Sequence, residues 1–352
     1  MTVYNLERFN LLLVEDNAFI RNTFEDVLRR FKINNIATAA NGEEAIDFLK
    51  SRRGMGRGTG AIGVDLIISD LVMSPINGIL FLQWLRTADL SSNRFTPFVM
   101  LSGAADFDYV RAARDAGATE FLAKPFSAES IYKRIIEVID HPRQFVTTST
   151  YFGPDRRRKK GPSPVSERRF IADEEVTIAY SRDKVVRPEK PTEVWYFRLP
   201  NRLREKAGGS FSSGPGELPL DLLAEAEEQL ERASLDFTDW AKTYLDQLSA
   251  LCDDASRKPE GRKDDFEKIN LLAHELRGQG GTFGYPLITT FAKMLYDATY
   301  SGCIENDNAV EVVKAHIDAM RAVLREKVAG DGGATGRALL DSLRIAIEKR
   351  RN

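Results

Sequence analysis

Acids, a hydroxyl and an amine recur at the ends of short apolar runs in the first third of the chain, and their types suit one reaction class. The run Leu11 to Val14 leads into Glu15 and Asp16, and Asp65 to Ser69 leads into Asp70. Phe98 to Leu101 leads into Ser102, and Glu120 to Ala123 into Lys124 and Pro125. Three carboxylates brought together repel one another unless a cation sits among them, and an all-oxygen set suits Mg²⁺. The metal and the Lys124 ammonium would neutralise an incoming phosphoryl group, while the Ser102 hydroxyl donates to one of its oxygens. Asp70 is then a nucleophile toward phosphorus. Each residue alone has a plainer reading. Asp70 ahead of Pro75 and Gly78 could cap a turn, and Lys124 could be a surface lysine.

A second chemical stretch lies far downstream, around His274. The chain has only three histidines, His141, His274 and His316. A lone helical His is ordinarily a surface or capping residue, but on a helix the residues three, four and seven after His274 share its side, and these are Arg277, Gly278 and Gly281. Each glycine weakens a helix by about 1 kcal/mol relative to Ala, so two beside one imidazole make poor stability design. They clear space above the ring. Arg277 places a cation where a phosphoryl group on His274 would put negative charge.

The elements that must position these residues follow from periodicity. Strands are expected at Leu11 to Val14, Asn35 to Ala39, Asp65 to Asp70, Phe98 to Ser102 and Glu120 to Ala123. Helices follow around Phe19 to Phe31, Gly42 to Leu49, Gly78 to Arg86, Tyr109 to Ala116 and Ser127 to Ile139. Five strands alternating with five helices describe an α/β doubly wound five-stranded parallel sheet over residues 1–142. The glycines from Gly54 to Gly60 lack a Gly-Lys-Ser/Thr ending and read as a loop.

From 143 to 217 the chain reads as a basic and Gly/Pro-rich linker, with strand-like pieces at Val176 to Tyr180 and Val194 to Phe197. Those two could pair as a hairpin or pack on a neighbour. The tract from Arg156 to Lys160 and the glycines from Gly208 to Gly216 mark its flexible stretches. Residues 218–330 read as an all-α helical bundle. Leu220 to Leu230 and Phe237 to Leu251 read as separate helices, and Ile269 to Phe283, Leu287 to Leu295 and Val310 to Leu324 as three more. After Gly330 to Gly333, residues 331–352 carry a last amphipathic helix.

Composition narrows the function classes. A formal charge of −2 over 352 residues gives no general attraction to nucleic acid or anionic lipid. The basic tract is followed by no helix-turn-helix or finger, so no nucleic-acid partner is expected. Two cysteines, Cys252 and Cys303, make neither a disulfide framework nor a four-ligand metal site. The amino-terminal residues lack an export pattern and no apolar run approaches a membrane span, so a cytoplasmic location without membrane insertion is expected.

Over residues 8–140 the acid pair, Asp70, Ser102 and Lys124-Pro125 together resemble the receiver domain of two-component response regulators. The resemblance implies that Asp70 is the phosphoacceptor, that Glu15, Asp16 and Asp70 hold Mg²⁺ with the Val72 carbonyl, and that Ser102 and Lys124 contact the phosphoryl group. Phe121 matches the aromatic switch position. One departure is that Ser74 stands where the family has Pro, with Pro75 one residue later. Over 218–328, His274, Arg277, Gly278, Gly281 and Gly284 are similar to the motif of the histidine phosphotransfer (Hpt) domain.

Together these imply a phosphorelay protein without its own ATP site, which is not a histidine kinase. An upstream sensor histidine kinase and one or more separate receiver domains are the implied partners. The competing expectation keeps the receiver as a switch and makes the bundle a non-catalytic interaction module.

Overall fold

The computed structural model describes residues 3–53, 63–87, 94–103, 107–156, 188–190, 193–197, 201–209, 214–217, 219–330 and 332–351. The glycine-rich stretch 54–60, most of the basic tract and the strand-like piece 176–180 lie outside these residues. Two compact units emerge, one of residues up to 123 together with 128–227, the other of 124–127 and 228–352.

A five-stranded sheet is built on strands β1 (Asn10–Val14), β2 (Asn35–Ala39), β3 (Leu66–Asp70), β4 (Phe98–Gly103) and β5 (Glu120–Lys124). They alternate with helices α1 (Ala18–Arg30), α2 (Gly42–Arg53), α3 (Gly78–Thr87), α4 (Phe107–Ala116) and α5 (Ala128–Asp140). Every residue of β1 and β3 is buried, as expected for central strands covered on both faces. The sheet order is β2-β1-β3-β4-β5, and β1 pairs in parallel with both β2 and β3. The order therefore reverses beside β1, and open α/β sheets bind ligands at the carboxyl edge of such a switch point. Glu15, immediately after β1, and Asp70, the last residue of β3, both stand at that edge.

The descent from β3 into α3 is set by close approaches. Gly42 N donates to Ile76 O at 3.0 Å and Gly78 N to Leu71 O at 3.0 Å. A Cβ on Gly78 would lie 2.1 Å from Asp70 O and 2.9 Å from Met100 Sδ, so only glycine fits. The Ser74–Pro75 peptide is cis. Through the Gly78 N to Leu71 O bond, the turn with Pro75 one place late still returns the chain to Gly78.

The linker reading of 143–217 is corrected over its described residues. Strands β6 (Phe145–Thr147), β7 (Phe152–Pro154) and β8 (Trp195–Phe197) form an antiparallel sheet in the order β7-β6-β8. The piece ending at Phe197 therefore pairs with β6. Phe95 packs edge-on to Phe145, Phe152 and Phe197, with ring centroids 5.3, 5.2 and 5.1 Å away. Such buried aromatic area outweighs the local breakers that suggested a free linker. Helix α6 (Arg202–Lys206) is tied down by Asn201 Nδ2 to Ile139 O at 2.7 Å and by Lys206 to Asp65 at 2.5 Å. Even the glycine stretch is anchored at its far end, where Gly216 N donates to Asp140 Oδ2 at 2.7 Å and Tyr132 to Glu217 O at 3.2 Å.

The rest of the chain is helical: α7 (Leu220–Arg257), α8 (Arg262–Gln279), α9 (Pro286–Ala298), α10 (Asp307–Arg325) and α11 (Gly333–Arg351). The two helices expected before residue 252 are one helix of 38 residues. Between Leu230 and Phe237 the chain has Glu, Arg, Ala, Ser, Leu and Asp, without a Gly or Pro to break it. Phe237 of α7 stacks on Phe283 at 5.1 Å, and Cys252 Sγ donates to Val310 O at 3.6 Å, so α7 packs along the other helices. Helix α9 packs against α8 and α10, and α10 against α11. The helical stripe expected to reach Phe283 stops at Gln279, so Gly281 and Phe283 lie in the turn that follows α8.

Candidate functional site

Glu15 is fully buried and Asp16 exposed, so the pair is split between sheet and solvent. Each offers a carboxylate oxygen, the two within 4.8 Å of one another. Arg21 Nη1 donates to Glu15 O at 2.6 Å and to Asp16 O at 3.3 Å, fixing the backbone that carries them. Asn17 caps α1 by accepting from Phe19 N at 3.1 Å and Ile20 N at 3.2 Å, which turns the chain away directly after the acids. Neither Arg21 nor Asn17 was singled out in the sequence, although Asn ahead of an apolar helical pattern is a cap signal.

Asp70 is 2 % exposed, and its Oδ1 accepts from Leu71 N at 2.7 Å. It does not complete a three-carboxylate group with Glu15 and Asp16 within 4.8 Å. In register, Asp70 pairs with Leu101, which puts Ser102 one residue beyond it on the neighbouring strand. Ser102 and Lys124 are both buried, Ser102 near the end of β4 and Lys124 as the last residue of β5. Val72 is half-buried in the turn after β3. Phe121 is partly buried and packs on the core between sheet and helices. The four strand ends named from sequence therefore occupy one edge of one sheet.

Helix α8 carries the other constellation. His274 is half-buried, and Arg277 Nη2 lies 3.1 Å from its Nδ1. A guanidinium only donates, so Nδ1 accepts and the neutral ring holds its proton on Nε2. The guanidinium carbon sits 4.5 Å from the centroid of the Tyr296 ring, and His274 faces the same ring at 5.6 Å. Tyr296 belongs to α9, and no spacing in the sequence pointed to it. Gly278 shares the helix with His274, whereas Gly281 lies beyond its end, and Gly284 takes a positive φ of 84° that favours glycine. Gly280, not singled out before, is where α8 meets α9, because a Cβ there would lie 2.8 Å from both Thr289 N and Tyr285 O.

Comparison with known proteins bears on the first unit. The family model described as "Response regulator receiver domain" matches residues 11–136. The transcriptional regulatory protein PdtaR of Mycobacterium tuberculosis is 30% identical over 125 residues, 36% of this chain and 54% of that protein. This chain therefore spans about half the length of that curated relative. Chemotaxis protein CheY of Bacillus subtilis is 27% identical over 130 residues, 37% of this chain and 97% of that protein. Among solved structures, the chemotaxis protein CheY4 of Vibrio cholerae is 28% identical with a TM-score of 0.31, covering 37% of this chain and 98% of that one. Among the described residues, no helix is long and apolar enough to cross a membrane. Residues 11–136 of this chain are a response regulator receiver domain.

Proposed function

We propose that this protein is a two-component phosphorelay component, which accepts a phosphoryl group on Asp70 and exchanges another on His274. The observation that carries the first half is that Glu15, Asp70, Ser102 and Lys124 gather at the carboxyl edge of one parallel sheet. In accepting, an Asp70 carboxylate oxygen forms the new bond to phosphorus as the donor's bond to phosphorus breaks. The electron pair leaves with the donor, which takes up a proton. Ser102 Oγ–H and the Lys124 ammonium meet the oxygens of the transferring group, where charge accumulates.

The donor set fits Mg²⁺: Glu15 and Asp16 supply paired carboxylate oxygens, with Asp70 and the Val72 carbonyl along the same edge. When bound, the ion would neutralise the phosphoryl oxygens and the crowded acids. A receiver also implies a histidine kinase or a phosphotransfer partner upstream.

The second half is supported by the Arg277–His274 contact. The resting ring has its proton on Nε2 and its Nδ1 lone pair turned to Arg277. An incoming phosphoryl group competes for the guanidinium. As Arg277 turns to it, Nδ1 is released to carry the proton, and the Nε2 lone pair forms the bond to phosphorus as the aspartyl O–P bond of the donor receiver breaks, its electron pair leaving with that carboxylate. Asp70 then acts as the input that gates exchange at His274 with a separate receiver. Treating the protein with a small phosphodonor and Mg²⁺ tests the acceptor. An alkali-labile label should form in wild type and be lost in Asp70→Asn, and equal labelling of the variant would end the assignment.

A further inference from the structure

Within the first unit, Phe145 of β6, Phe197 of β8 and the start of α6 help to bound a cavity of about 370 Å³. That volume is in the range of small-molecule sites. Pro97 precedes β4 and Thr119 precedes β5, so the cavity lies at the amino ends of the strands, at the opposite edge from Asp70. Phe95, Phe145 and Phe197 supply its apolar wall. Among the described residues, its charged lining residues are Arg143 and Arg202, and no Asp or Glu lines it.

The wall is held in place. The three phenylalanines are locked into one edge-to-face cluster with Phe152. Arg143 Nη1 donates to Thr119 O at 3.2 Å, which holds the guanidinium at the cavity. Asn201 spends its amide on Ile139 O and its carbonyl oxygen on Arg204 N, fixing the start of α6.

Behind the wall lies a further cation. Arg86 is 1 % exposed, stands 5.1 Å over the Phe145 ring, and donates to the carbonyls of Gly117, Arg94 and Thr96. Burial lowers its pKa to about 9, so it remains charged at neutral pH. The cavity thus combines aromatic surface with a positive field and, among its described lining residues, no counter-charge.

We propose that this cavity binds a small amphipathic carboxylate, with its apolar body against Phe95, Phe145 and Phe197 and its carboxylate at Arg143 and Arg202. Two guanidinium forks favour a planar anion, and the ring walls favour an attached aromatic or branched hydrocarbon. The site is independent of the phosphoryl chemistry, and the segment that forms it is the one that reads as a linker in the sequence.

Calorimetric titration of the full chain with phenylacetate, 4-phenylbutyrate and 4-methylvalerate, each beside its amide, tests this. At least one acid should bind with a submillimolar Kd, its amide about tenfold more weakly, and Arg202→Gln should weaken that acid by about tenfold. Arg202 is exposed on α6, and an unchanged melting temperature in the variant separates lost binding from lost folding. The proposal is overturned if no acid saturates below about 10 mM, if acid and amide bind alike, or if Arg202→Gln binds as wild type does.

Discussion

Arg277 Nη2 donates to His274 Nδ1 at 3.1 Å, one helical turn along α8, and this contact dictates which ring nitrogen carries the proton. Nitrogen-resolved NMR of the neutral ring should show the Nε2–H tautomer in wild type and a mixture of tautomers in Arg277→Met. If Arg277 also neutralises the transferring group, phosphoryl acceptance by His274 should fall about a hundredfold in that variant. Arg277→Lys should restore part of the rate. A wild-type ring protonated on Nδ1 would contradict the arrangement.

Gly78 holds the turn beneath the acceptor because a Cβ there would collide with Asp70 O. Gly78→Ala should therefore destabilise the first unit by about 1–3 kcal/mol, in the manner of an overpacked core. The midpoint of urea unfolding reads this directly, and a midpoint equal to wild type would mean that the turn yields without cost.

The parallel sheet was legible because its central strands are buried on both faces and so read as uninterrupted apolar runs bounded by acids. The candidate acceptor edge was legible for the same reason, since reactive residues there interrupt those runs at their ends. What stayed hidden depends on distant partners. The three strands β6 to β8 have three residues each, too short for periodicity, and β8 finds β6 across about 50 residues of sequence. Tyr296 reaches Arg277 only through the α8–α9 turn, which Gly280 lets close. The unbroken α7 was mistaken for two helices because, among the described residues, only the small Ala233 carries its buried stripe between Leu230 and Phe237, a weak signal beside the larger side chains on either side.

Tyr132 reports whether the strap ending at Glu217 stays docked. Burial, followed by the charges of Asp140 and Tyr4, pushes its phenol up to about 12. An unfolded tyrosine ionises near pH 10, so the folded state holds the proton more tightly. This contribution to stability is complete below about pH 10 and is lost as the pH rises toward 12. Tyr132→Phe should flatten the decline of unfolding free energy between pH 10 and 12. Tyr4, also raised to about 12, keeps its own share of the slope. An unaltered slope would show the phenol to be solvated.

Lys124 ends β5 and is buried. If it senses the phosphoryl group rather than creating it, Lys124→Ala should still accept phosphate from a small donor. Its amide spectrum should then fail to shift on phosphorylation. A wild-type spectral response in the variant would remove Lys124 from transmission.

The most direct test of the central claim is transfer of labelled phosphoryl from a separate phosphorylated receiver to wild type, Asp70→Asn and His274→Gln. The account predicts an acid-labile, alkali-stable label on wild type and on Asp70→Asn, and none on His274→Gln. Label that reaches wild-type His274 only through phosphorylated Asp70, passing from one to the other, would replace gating with an internal relay. Label on His274→Gln equal to wild type would contradict the account and leave the helices as an interaction module.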